Sequence, residues 1–405
     1  MSDNHDHSPR TKWTTLIDVL IVAAVCVLFV VAFHPFGTQL SEPFPEDEVV
    51  IAAILPMEGS LANFGIGYNL GMEMATRDIN AAGGIRGVPL RIEYFDDKSD
   101  PDMSVKAMNA VRDAGIPVVI GAIGSENSLA IAPYAETFDI VMLSPASTTG
   151  ALSLYPGVYR TVASDVYQGG GMAKIVGGIE DVDSVVVVYL DNQYGLSLMH
   201  SFEHEIENYL IDVENITELE IPDDRPMDVT WVVETMAEED PDVVILIVYP
   251  EQGVEIMRAA EAAGLAPIWF GSDTMTSSDV PAQVGTYAEN MIGFTQAHKL
   301  TVPSFAERYY EEYNTTSINF PVSYGYDAVV LLATCIEDGG YTYAGIRNSL
   351  DHIRHVGICG PRVFDENGDV QPAYDLVILE NGTWQTLKWN EILTYDYHGI
   401  SSTPE

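Results

Sequence analysis

Short, continuous apolar runs alternate along the chain with longer stretches in which apolar residues return every three or four positions. Val49–Leu55 (VVIAAIL) is the first such run, and a helical period around Tyr68–Ala82 follows it and stops at Gly83-Gly84, a pair that ends helices well. The strand-like VPLRIEYFDD and the amphipathic DMSVKAMNAVRDAG come next, then PVVIGAIGSENSLAIAPYAE (Pro117–Glu136) and DIVMLSPAS. The rhythm restarts at DSVVVVYLDNQYG (Asp183–Gly195), with a helical pattern to Tyr209, and runs on through PDVVILIVY, EQGVEIMRAAEAAGL and APIWFGSDT. Strands rich in Val and Ile on both faces suit a parallel sheet covered by helices on both sides. Two successive βαβ series predict an α/β chain of two doubly wound lobes. The pattern resets at Arg160–Asp165, Met291–Lys299 and Gly357–Asp369, which read as three crossovers between the lobes. The predicted division is residues 49–165 with 297–359 for lobe 1, and 166–296 with 360–392 for lobe 2. Residues 1–37 form an N-terminal tail and anchor or signal segment, 38–48 a linker, and 393–405 a C-terminal tail.

The N-terminal segment changes the picture by adding a membrane. Leu16–Phe33 is apolar except for Asp18 near its start, with Arg10 and Lys12 before it. Its length lies between a cleaved signal core and a membrane span. No Ala-x-Ala site follows, and Val25 before Cys26 spoils a lipidation site. An uncleaved anchor helix is therefore preferred, with its basic flank inside and the body from Gln39 outside the cytoplasm. The alternative is secretion after cleavage near Phe36. Sequons at Asn215, Asn314 and Asn381 agree with an exterior body. The formal net charge of −42 excludes nucleic acid and anionic lipid as partners of the body, and adaptation to a salty medium is the plain reading of it. Of the three cysteines, Cys26 lies in the apolar run, and Cys335 and Cys359 are the pair that an oxidising exterior could join, although the unpaired state is favoured.

Candidate chemistry gathers in loops after the apolar runs, where open α/β sheets bind ligands. GAIGSENS lacks a full Gly-x-Gly-x-x-Gly, lacks the Lys-Ser/Thr of a phosphate loop, and holds no cation. A singly charged carboxylate suits it better than a phosphate, met by the Ser125 hydroxyl and a positive helix end; a plain N-cap role for Ser125 is equally open. LSPASTTG (Leu143–Gly150) is a second hydroxyl-rich turn, in which Ser147, Thr148 and Thr149 can donate and the backbone at Ala146 is unshielded. Tyr194 follows a strand of the second series, and Asp273 follows another. An Asp facing a carboxylate site would hold an ammonium, so that the ligand is a zwitterion, most simply an α-amino acid. The histidines form no metal motif: His200 and His204 are spaced as a helical pair but lack a third ligand, and no nucleophile elbow accompanies a triad. Neither an enzyme nor a cofactor is predicted.

The stretch from IAAILPMEGSLANFGIGYNLGMEMATRDINAAGGIRGVPLRIEYFDDKSDP, followed in order by VIGAIGS, LSPAST, DNQYG and GPRVFDENGD, resembles the type I periplasmic solute-binding proteins, in the branch of the leucine/isoleucine/valine-binding proteins of ABC importers. The resemblance spans about Val49 to Trp389. It implies a two-lobed clamshell with three crossovers that closes on a small solute and delivers it to a membrane permease driven by an ATPase. By this resemblance Ser125 binds the ligand carboxylate, Ala146 offers backbone groups and Thr148 a second hydroxyl. Asp273 grips the ammonium, Tyr194 and Tyr249 are second-lobe aromatics, Phe64 covers the side-chain pocket, and Tyr326 lies near another cleft aromatic. Gly124 stands where some members carry a disulfide Cys. An amino acid, branched-chain or otherwise apolar, is the implied ligand; amides, urea and aromatic acids are alternatives within the fold, and a receptor ectodomain is the alternative to transport.

Overall fold

The computed structural model describes residues 44–387, apart from 180–181, 210–214, 224–226, 297–299, 301, 316–317 and 371–373. The Leu16–Phe33 run, with its anchor reading, lies outside the described residues, as do the C-terminal tail and most of the linker. Among the described residues no helix is long and apolar enough to cross a membrane.

In chain order the first lobe holds β1 (Val49–Leu55), α1 (Ala62–Ala81), β2 (Leu90–Asp96), α2 (Pro101–Asp113), β3 (Val118–Ile120), α3 (Ser125–Thr137), β4 (Val141–Ser144) and β5 (Val158–Arg160). The second begins with α4 (Asp165–Val176) and continues through β6 (Ser184–Leu190), α5 (Gln193–Tyr209), β7 (Asn215–Ile221), α6 (Val229–Glu239), β8 (Val243–Ile247), α7 (Pro250–Ala263), β9 (Ile268–Gly271), α8 (Asp279–Val284) and β10 (Ile292–Gln296). There follow α9 (Pro303–Tyr313), α10 (Phe320–Gly339), α11 (Tyr343–His352), a small hairpin of β11 (His355–Gly357) and β12 (Gly360–Arg362), and finally β13 (Tyr374–Glu380) and β14 (Thr383–Leu387).

The strands assemble into a five-stranded sheet ordered β2-β1-β3-β4-β5 and a seven-stranded sheet ordered β14-β13-β10-β9-β8-β6-β7. The first is parallel throughout, with β1 in register from Val49 opposite Leu90 to Leu55 opposite Asp96. The second is parallel from β7 to β10, and β13 and β14 extend it antiparallel. In both sheets the strand order turns back next to the first strand, β1 or β6, and the loops on either side of that reversal open a crevice at the carboxyl ends.

Apolar residues fill both faces of the first sheet. Alternate residues of β1 go to opposite sides: Ile51, Ala53 and Leu55 join Tyr68, Met72 and the buried faces of α10 and α11, whereas Ala52 and Ile54 join Met108, Ile131 and Met142. This is the period of two that a two-sided strand requires. Helices α9 to α11 thus return to the first sheet, while β13 and β14 complete the second, whose core includes Val186, Val188, Ile245, Phe270 and Leu376. The crossing of α1 over α10 is made by glycine: a Cβ on Gly71 would meet the Val322 carbonyl oxygen at 1.9 Å and one on Gly325 the Tyr68 carbonyl oxygen at 2.4 Å. That close approach sets the N-termini of both helices side by side at the crevice.

Cys335 and Cys359 are both free and buried. Cys335 sits in the packed interior of α10, and burial pushes each thiol up to about 12.

Candidate functional site

Two loops of the first sheet form one lip of the crevice. After β3, Gly121 turns with φ of 123°, and a Cβ there would strike the Ile54 carbonyl oxygen at 2.3 Å, so only glycine lets the chain pass the end of β1 and enter α3. Ser125 is the first residue of α3, and Gly124, not Ser125, holds the cap position. The N-cap reading of Ser125 therefore falls. Its hydroxyl is 4% exposed and accepts from Ser147 Oγ at 3.4 Å. Ser144, at the end of β4, ties the two loops together: its Oγ donates to the Ala122 carbonyl at 2.7 Å and accepts from Ser147 N at 3.0 Å. No sequence motif marks Ser144, because its role depends on strand pairing.

Beyond it the chain presents Ala146 and Thr148. The Thr148 carbonyl accepts from Arg160 Nη1 at 2.9 Å and from Asp165 N at 2.8 Å. Arg160 is almost wholly buried and also donates to the Thr149 carbonyl, to Ser153 Oγ and to Asp369 Oδ1 at 2.6 Å each. This guanidinium fixes the hydroxyl-rich loop to the first and third crossovers. Thr148 Oγ1 has no hydrogen-bond partner of good geometry, although the side chain is 2% exposed.

The facing lip comes from the second sheet. Asn192 caps the start of α5, its Oδ1 accepting from Tyr194 N at 3.0 Å and Gly195 N at 2.9 Å, which aims Tyr194 into the crevice. Tyr194 stacks on Tyr249 with ring centroids 5.8 Å apart. Its hydroxyl donates to Asp273 Oδ1 at 2.9 Å, Gln296 Nε2 donates to Oδ2 at 3.2 Å, and the Asp273 amide donates to Gln168 Oε1 at 3.0 Å. Asp273 is 5% exposed, and among the described residues no Lys, Arg or His pairs with it. Burial raises its pKa, with the bonds from Tyr194 and Gln296 holding it partly down.

Nearby, Asp165 is fully buried at the first turn of α4, and neither of its carboxyl oxygens has a partner of good hydrogen-bond geometry. Burial lifts it to about 7, with the neighbouring Ser197 and Thr148 hydroxyls offsetting part of the rise and Asp273 adding to it. The lips touch directly where Gly150 N donates to Ser197 Oγ at 3.2 Å.

Between them lies a cavity of about 40 Å³. Of the candidate residues, Ser125, Ala146, Thr148, Tyr194, Tyr249, Asp273 and Phe64 line it, and Leu61, Tyr68 and Thr274 join them. Ser147 does not: its hydroxyl is turned to Ser125. Tyr326 is also outside. Its hydroxyl donates to Asp78 Oδ2 of α1 at 2.8 Å and its ring packs on Phe305. The cleft aromatic of that helix is Phe320, in ring contact with Phe64 and Tyr68 at 6.3 and 6.5 Å. Six residues along a helix turn about 240°, so Tyr326 and Phe320 cannot share a face. Phe320 follows Asn319 and precedes Pro321, a helix start that the sequence displays, yet nothing local shows that this start reaches the crevice.

Two parallel-sheet lobes that meet over a lined cavity, with opposite polar chemistry on the two lips, define a two-lobed solute-binding protein. The family model for periplasmic binding proteins matches residues 48–383, and the chain belongs to that family, in the branch of the branched-chain amino acid ABC transporters. A relative is the Leu/Ile/Val-binding protein of Escherichia coli (strain K12), 30% identical over 252 residues that cover 61% of this chain and 67% of the relative. Among solved structures, the leucine-binding protein of Thermotoga maritima superposes with a TM-score of 0.77 at 24% identity, covering 84% of this chain and 98% of that one. A solute-binding protein of Rhodopseudomonas palustris BisB5, in complex with 3,4-dihydroxybenzoic acid, gives 0.76 at 18% identity over 85% and 97%. These likenesses establish the fold, and the family makes the chain a substrate-binding protein of an ABC transporter that works outside the cytoplasm.

Proposed function

We propose that the solute is an α-amino acid. Its carboxylate would be met by Ser125, Thr148 and the backbone at Ala146, next to the positive end of α3, and its ammonium by Asp273 with Tyr194 beside it. One observation carries this reading: a buried carboxylate, with no cationic partner among the described residues, shares a cavity with the buried Ser125 and Thr148 hydroxyls of the other lip. A buried charge is costly unless paired, and a zwitterion satisfies both lips at once. Hydrogen bonds to a charged group contribute about 1.5–3 kcal/mol each, enough in sum for micromolar binding at about −8 kcal/mol. The ligand favours the closed arrangement because only there do both lips reach it, and that differential is what shifts the lobes. The closed form then docks on a permease driven by an ATPase, with the N-terminal run holding the body to the membrane.

An aromatic acid is the second reading, favoured by the rings of Phe64, Tyr194 and Tyr249 in the cavity wall; it leaves Asp273 without a counter-ion. Calorimetry of the full chain against amino acids, their 2-oxo acid analogues, benzoates and sugars tests the choice. Tight binding of amino acids with at least hundredfold weaker 2-oxo acids is the expected result. Binding confined to benzoates or sugars would refute it.

A further inference from the structure

The cavity between the lips is not the only space that the crevice encloses. A larger chamber of about 830 Å³ adjoins it. Phe64, Tyr249 and Phe320 line both spaces, so these three rings stand where one leads into the other. A single water needs about 10–15 Å³, so a 40 Å³ cavity has room for roughly three water-sized groups. The five heavy atoms of an amino-acid head group (the ammonium nitrogen, the α-carbon and three of the carboxylate) already exceed that space and leave none for a side chain. A side chain must leave it, and the way out that the lining residues define passes the three rings into the chamber. Its volume lies within the roughly 300–1,000 Å³ of small-molecule pockets, far more than a branched-chain residue fills.

The chamber walls have a definite chemistry. Val377, Trp384 and Ile318 give apolar surface suited to a methylene stem, and Glu251 and Asp375 contribute carboxylates. Among the described residues that line it there is no Lys, Arg or His. Gln252 Oε1 and Ser277 Oγ are buried in this wall, and neither has a hydrogen-bond partner within the protein. A carbonyl oxygen can only accept, and the carboxylates accept likewise. Around Gln252 Oε1, Glu251 and Asp375 the wall therefore calls for donors and disfavours a second carboxylate.

Resting on the amino-acid reading above, we infer that the ligand class is α-amino acids whose side chain is longer than that of leucine and ends in N–H donors: a carboxamide, an ammonium or a guanidinium. The head group stays between the lips, the stem passes Phe64 and Tyr249, and the donors reach Gln252 and Asp375.

The test is calorimetry of the full chain with glutamine, lysine, arginine, leucine, glutamate and alanine. At least one of the first three should bind tenfold or more tighter than leucine, and glutamate more weakly than any of them; which one wins separates amide from cation. Ser277→Trp, which narrows the chamber beside Gln252, should weaken the long ligand tenfold or more and leave alanine unchanged, and Gln252→Leu carries the same expectation should the tryptophan disturb folding. Leucine or glutamate binding as tightly as all three donor-ended ligands would overturn the inference while leaving the amino-acid reading in place. So would long-ligand affinity untouched by both substitutions. Failure of every amino acid to bind would overturn both.

Discussion

Replacing Asp273 by Asn isolates the charge on which the proposed ammonium site depends. The side chain keeps its size, and its remaining oxygen still accepts from the Tyr194 hydroxyl, which lies 2.9 Å from Oδ1. Removing one partner of a buried, hydrogen-bonded pair costs about 3–5 kcal/mol. None of that is returned by the neutral amide's easing of the buried charge in the free protein, because stabilising the unliganded state weakens binding further. The loss in affinity should thus be at least about 3 kcal/mol, or more than a hundredfold at 1.4 kcal/mol per decade. The assay is calorimetric titration with the tightest-binding amino acid and, separately, its 2-oxo acid analogue, which lacks the ammonium. The amino acid should lose a hundredfold or more and the 2-oxo acid less than about threefold, so the variant discriminates poorly between them. Thermal unfolding of the free variant should shift little, since relief of the buried charge is offset by loss of the bond from Gln296 Nε2, which the new amide NH2 cannot accept. An equal loss for both ligands would show that the substitution merely disturbs the cavity, and an unchanged amino-acid affinity would remove Asp273 from recognition altogether.

Three further outcomes follow from neighbouring groups. Thr148→Val removes a hydroxyl that lines the cavity and lies beside buried Asp165; carboxylate ligands should lose about 1.5–3 kcal/mol, some ten- to a hundredfold, by calorimetry. Asp165 has a pKa of about 7 in the folded chain against about 3.9 when unfolded. The folded state therefore holds the extra proton between those values, and stability is full below about pH 4 and declines as pH rises to about 7. Asp165→Asn should match the parent in melting temperature only at about pH 4 and exceed it by a margin that grows up to about pH 7 and then levels off, and parallel pH profiles would contradict the assignment. Arg160→Met strands Asp369 and the Thr148 and Thr149 carbonyls that the guanidinium now satisfies, so urea unfolding should show about 3–5 kcal/mol of lost stability and ligand affinity should fall with the loosened loop.

Chemistry that is local is legible in the sequence itself. Ser125, Thr148, Tyr194 and Asp273 each follow an apolar run directly, and the carboxyl end of a parallel strand is where such a residue meets a crevice. The alternation of runs likewise carries the two sheets. Chemistry that is tertiary is not legible in this way. Phe320 reaches the cavity because α10 crosses α1 at Gly71 and Gly325, a contact between segments some 250 residues apart, whereas Tyr326 is equally suitable in one dimension and is spent on Asp78. Ser147 escapes sequence reasoning for a smaller reason: in a run of three hydroxyls, the turn that Ser144 imposes decides which one faces the cavity. Composition alone favours the unpaired state of Cys335 and Cys359, but their burial beneath α10 depends on the fold.

Gln296 connects recognition to the hinge. It ends β10 at the second crossover, and its Nε2 donates both to Asp273 Oδ2 and to the Tyr374 hydroxyl at 2.9 Å. Its Oε1 accepts from Ala163 N of the first crossover at 3.1 Å, and the Tyr374 hydroxyl, just past the third, donates to the Ala163 carbonyl at 3.0 Å. Residues of all three connections thus meet in one closed set of bonds, and Asp273, the proposed ammonium partner, is tied to it through Gln296. A change in the angle between the lobes moves backbone at Ala163 and so bears on the amide that orients Asp273. The converse holds by reciprocity: a ligand that engages Asp273 stabilises the hinge arrangement in which Gln296 keeps both bonds. On this account a solute held only by the Ser125 and Thr148 lip can bind, but it lacks the contact that favours one hinge angle over another, and it closes the lobes less completely than a zwitterion of the same size.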